Sequence, residues 1–64
     1  MTPHEMKIYE YQALVFAEVA AIEGMKAENS DRLSQGLSIA YGEEAFVESS
    51  KKIEFYAHAM AEGE

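Results

Sequence analysis

The run Ile8-Tyr9-Glu10-Tyr11-Gln12-Ala13-Leu14-Val15-Phe16-Ala17-Glu18-Val19-Ala20-Ala21-Ile22 decides the fold of this chain. Ile8, Val15 and Ile22 recur at intervals of seven, and Tyr11 and Glu18 take the other inward position of the same heptads. The strict two-residue alternation of a half-buried strand is absent. Steps of three and four mark one face of an α-helix, and the seven-residue return marks a coiled-coil-like seam. The series runs on through Met25 and then meets Asn29 and Arg32, polar residues in apolar positions. Tyr9, Leu14, Phe16 and Val19 widen the stripe, which suits a bundle whose helices each meet more than one neighbour.

Both ends of this helix carry signals. Thr2 can cap it, Pro3 fits the first helical position and Glu5 completes a capping box. Ser34-Gln35-Gly36 supplies a stop, with Gly36 as the left-handed residue after the last turn. Asn29-Ser30-Asp31 offers an earlier break, but the break at Gly36 keeps both heptad series whole. The second series is Ile39, Phe46, Ile53 and Met60, flanked by Val47 and Phe55, with Ser38 as its start. The expected layout is therefore helix 1 over 3–34, a turn over 35–38 and helix 2 over 39–61, with a frayed tail at Glu62-Gly63-Glu64. Gly24 and Gly42 fall inside these helices, each at a cost of about 1 kcal/mol against Ala. Gly42 shares a face with Ser49, where small residues let helices approach closely. The fold class is all-α, a single antiparallel two-helix hairpin.

Size then argues for assembly. A domain of about 60 residues buries only about 60% of its unfolded surface. Ten of the apolar residues are Ala, and the absence of Cys removes any disulfide staple or thiolate zinc site. The hairpin is expected to form a homo-oligomeric helical bundle, most simply four helices from two copies. The net charge of −7, from 12 acidic and 5 scattered basic residues, argues against a direct grip on nucleic acid. The apolar run Ala13 to Ile22 contains Glu18 and falls well short of the about 20 residues of a membrane span. No signal segment is read at the N-terminus, so the expected compartment is the cytoplasm.

The candidate ligand-binding set is Tyr11, Lys26, Asn29, Arg32 and Tyr41. Two cations, an amide and tyrosine rings have the chemistry to hold a phosphate or a nucleotide base. The competing reading pairs the cations with Glu23, Glu28, Asp31, Glu43 and Glu44 and uses Asn29 to fix register. Glu54 and His58 lie at i, i+4, with Glu18 roughly level across the hairpin. That spacing is one residue longer than the Glu-x-x-His of carboxylate di-metal bundles, so no metal is assigned. No nucleophile or oxyanion donor set is present, so no catalytic residue, enzyme activity or cofactor is expected. The methionines Met1, Met6, Met25 and Met60 read as adaptable packing. The acidic surface has the sign needed to imitate nucleic acid and block a basic protein groove.

Ile22-Glu23-Gly24-Met25-Lys26-Ala27-Glu28-Asn29, with Arg32, Gly36, Ala40-Tyr41 and Phe46, resembles a stretch of small uncharacterised phage and prophage proteins. Ile39-Ala40-Tyr41-Gly42-Glu43-Glu44-Ala45-Phe46, with Lys52-Ile53, is similar to the helical hairpins of phage proteins that sequester cyclic nucleotide immune signals. The likeness is gapless only around Glu43 to Phe46, and Glu48 or Ser49 stands where those hairpins carry an aromatic residue. The resemblance implies an oligomer with a ligand between subunits and assigns no site residue. The expected function is thus a non-enzymatic counter-defence protein, acting in the host cytoplasm, that sequesters a small anionic ligand such as a signalling nucleotide. The alternatives are an acidic helical protein that binds and inhibits a host protein, and a metal-binding four-helix bundle.

Overall fold

The computed structural model describes residues 2–62. Two helices account for most of them: α1, Pro3–Ser34, and α2, Glu43–Glu62. They fold back on each other as a flat hairpin of 51 × 19 × 9 Å. Gly63, Glu64 and Met1 lie outside the described residues, and Glu62 closes α2.

α1 starts where its sequence directs. Thr2 is extended at φ −79° and ψ 158°, and its Oγ1 accepts from the Glu5 N–H at 3.2 Å. The box closes differently from the usual form. The Glu5 carboxylate accepts from the Thr2 hydroxyl at 2.9 Å, so both halves of the exchange run through one side-chain oxygen. At the other end the Leu37 N–H donates to the Arg32 carbonyl at 2.8 Å and the Gly36 N–H to the Leu33 carbonyl at 3.0 Å. This paired closure needs a left-handed residue between the helix and the exit, and Gly36 supplies it at φ +77°.

Helix 2 starts later than the sequence reading. Residues 39–42 are not helical, and α2 begins at Glu43. Ile39 and Ser38 belong to the connector, and Gly42 precedes the helix, its carbonyl accepting from the Ala45 N–H at 3.2 Å. Glu43 and Glu44 in the first turn suit the positive end of the helix dipole.

The seam between the helices has the expected periodicity. On α1 the half-buried residues are His4, Ile8, Tyr11, Val15, Glu18, Ile22, Met25, Asn29 and Arg32, in steps of four and three. On α2 they include Phe46, Ile53, Tyr56 and Met60, with Ser49 buried among them. Tyr11 meets Tyr56 with ring centroids 6.1 Å apart. The flanking residues that widen each stripe lie outside this contact. Tyr9, Leu14, Phe16, Val19, Val47 and Phe55 are all exposed.

The consequence is a fold without an interior. Among the described residues no apolar side chain is buried, and Ser49 alone is, at 7% exposure. Two helices side by side cover one stripe each and leave the rest to solvent. No described helix is long and apolar enough to cross a membrane.

Candidate functional site

The polar residues that interrupt the α1 seam meet the connector. Residues 37–42 have no helical or strand hydrogen bonding of their own, so their backbone groups need other partners. A primary amide can satisfy a peptide on both sides, because it carries an acceptor and a donor side by side. Asn29 is used in that way. Its Oδ1 accepts from the Ala40 N–H at 3.0 Å and from the Tyr41 N–H at 2.9 Å. Its Nδ2 donates to the Tyr41 carbonyl at 2.8 Å. One turn on, Arg32 Nε donates to the Ser38 carbonyl at 2.8 Å. Asn29 and Arg32 thus hold the connector against the last turns of α1.

The candidate ligand set is only partly assembled. Asn29, Arg32 and Tyr41 come together, but Tyr41 joins through its backbone, leaving its ring outside the network. Lys26 lies one turn away and pairs with Glu23 at 3.3 Å, both side chains exposed. Tyr11 stands eighteen residues before Asn29, about 27 Å along α1 at 1.5 Å per residue. Within one copy it belongs to the Tyr56 contact and not to this site.

Charge at this end favours anions poorly in a single copy. Arg32 Nη1 approaches Glu28 at 4.0 Å, and Asp31 accepts from the Gln35 amide at 3.0 Å. Glu23, Glu28, Asp31, Glu43 and Glu44 outnumber Lys26 and Arg32. The ion-pair reading of these cations therefore describes the single chain well, and Asn29 fixes the connector rather than helix register alone.

A shallow depression of about 350 Å³ lies nearby on α2, lined by Glu43, Glu44, Val47, Glu48 and Lys51. Sequence reasoning did not single it out, since its signal is only acidic residues at i, i+1 and i+5 around one valine. Three carboxylates against the Lys51 ammonium leave its walls net negative. Within one copy Glu18, Glu54 and His58 are not grouped: Glu18 is half-buried on the seam, while His58 and its neighbour Glu62 are exposed and 4.0 Å apart. Among the described residues no three His, Asp or Glu side chains are grouped to hold a metal ion.

No protein-family model, curated protein or solved structure matches this chain.

Proposed function

We propose that this chain is a non-enzymatic binding protein that works as a homo-oligomer of hairpins. The observation that carries the proposal is the missing interior: large apolar side chains such as Phe16 and Phe55 are 73% and 66% exposed, and none is buried among the described residues. A chain of this length gains enough burial only by adding helices from another copy. Within this reading the ligand is a small anion, such as a signalling nucleotide in the host cytoplasm, held between subunits at the connector end. The resemblance of the second half to nucleotide-sequestering phage hairpins supports that choice. So do the Tyr41 ring, left outside the Asn29 network, and the Arg32 guanidinium, which meets the same connector at Ser38.

A second reading is favoured by the acidic depression on α2. An acid-rimmed apolar spot fits a basic patch on a host protein, and the alternative function is inhibition by such docking.

Native mass measurement combined with a thermal-shift panel of cyclic dinucleotides separates these readings. The ligand reading expects an oligomer whose melting point rises with one panel member, and a Tyr41→Ala variant that assembles but does not respond. An oligomer with a flat response across the panel transfers the assignment to protein docking. A folded monomer at micromolar concentration overturns the homo-oligomer on which the ligand reading stands.

A further inference from the structure

We propose that α1 carries a second seam on its outer face and that a second copy of this chain docks there, α1 against α1 and antiparallel. The inference rests on the homo-oligomeric reading above and names the surface that makes the oligomer. Met6, Ala13, Ala20 and Ala27 recur at intervals of seven, and Tyr9 and Phe16 follow Met6 and Ala13 by three. This is a second heptad series, interleaved with the one that meets α2. At about 100° per residue the two series are centred about 160° apart on the helix. Exposure agrees with that placement: Met6 is 50%, Tyr9 59% and Phe16 73% exposed, and Ala13, Ala20 and Ala27 are exposed too. Glu23, the next residue of the row, closes its apolar stretch.

Size complementarity sets the occupant and its direction. The row alternates large and small: Tyr9, Ala13, Phe16, Ala20. In a parallel pair, like would face like, ring on ring and methyl on methyl, leaving gaps beside the alanines. In an antiparallel pair centred between Ala13 and Phe16, Phe16 faces the partner's Ala13 and Tyr9 faces the partner's Ala20. Each ring then fills the space over a methyl, as close packing demands. The same register sets exposed Glu5 level with the partner's Gly24, about 3 Å along the helix from its Lys26, which within one copy pairs with Glu23; the two-fold axis makes this approach of opposite charges twice. The dyad makes the surface self-complementary. The like charge of two −7 chains opposes pairing and is screened by salt, so association tightens as salt is added.

The chain has no Cys, which permits a clean cross-linking test. Tyr9→Cys and Ala20→Cys variants are made separately, mixed, and oxidised. The antiparallel register expects a disulfide between the two variants. Neither should cross-link to itself, because like positions stand about 16 Å apart along the helices. Phe16→Glu should weaken association roughly a hundredfold as the centre of the contact is lost, while the same added charge in Ser50→Glu, exposed on α2, leaves it unchanged. Self-cross-linking of each variant would show parallel pairing and overturn the inference. An oligomeric mass with no cross-link in the mixture would place the contact on another face, overturning the inference while leaving the oligomeric binding protein intact. A folded monomer in the untouched chain would sink both.

Discussion

Replacing Asn29 tests the claim that the connector is held by one side chain. Its three hydrogen bonds, at 3.0, 2.9 and 2.8 Å, serve three successive peptide groups, through the Ala40 N–H, the Tyr41 N–H and the Tyr41 carbonyl. A net bond is worth about 1 kcal/mol, so three set a ceiling of about 3 kcal/mol. Asn29 is half-buried, and water can reach some of the groups left behind. The expected loss in Asn29→Ala is therefore about 2 kcal/mol. Asn29→Leu gives a sharper contrast. It restores an apolar residue to the heptad, so it should stabilise the chain if Asn29 merely interrupts the seam. The connector bonds predict instead a loss of about 2 kcal/mol. Asn29→Asp keeps both acceptor bonds but turns a carboxylate oxygen toward the Tyr41 carbonyl, and should fall between. Urea unfolding followed by circular dichroism, at one fixed protein concentration because assembly adds to stability, gives the magnitudes. Amide exchange at Ala40 and Tyr41 gives the location. An Asn29→Leu chain more stable than the parent, or Ala40 and Tyr41 amides that exchange equally fast in every variant, would refute the reasoning.

Two glycines give opposite expectations. At Gly36 nothing lies within 4 Å of an added Cβ, so the cost of Gly36→Ala is the left-handed backbone alone, about 1–2 kcal/mol in the same unfolding assay. An unchanged midpoint would show that the connector leaves α1 by another route. At Gly24 the added methyl also meets nothing within 4 Å, and mid-helix Gly→Ala should stabilise by about 1 kcal/mol. A loss at Gly24 would show that another copy closes over that position.

The helices were legible because their seams are long. Nine positions from His4 to Arg32 hold steps of three and four without a fault, and Thr2-Pro3 and Gly36 bound them with local chemistry. The start of α2 was not legible, for a physical reason. Ile39 keeps perfect spacing with Phe46, Ile53 and Met60, so periodicity alone extends the helix to it. A helix beginning there would lay Ile39 against Asn29 and Arg32, where α1 offers amide and guanidinium instead of apolar surface. The same two side chains satisfy an unwound backbone, and the chain adopts that alternative. The polar interruption of one seam and the late start of the other helix are one event.

For the same reason Asn29 and Arg32 were legible as polar interruptions of the seam, but their role as connector ligands was not. A donor that can hold a phosphate can equally hold a carbonyl, and one chain cannot reveal which until the connector's path is known. That path commits the Asn29 amide and Arg32 Nε to backbone, and the helix rise removes Tyr11 to the far end of the hairpin. What is left for a ligand is the Tyr41 ring and, in exchange for their present partners Glu28 and Glu23, the outer guanidinium nitrogens and Lys26, amid five carboxylates. A small anion cannot be held by so acidic a surface unless a second copy contributes positive charge. Under the ligand reading, in which the anion lies between subunits, a variant that abolishes assembly should lose any nucleotide response, even though it changes no group in the candidate ligand set.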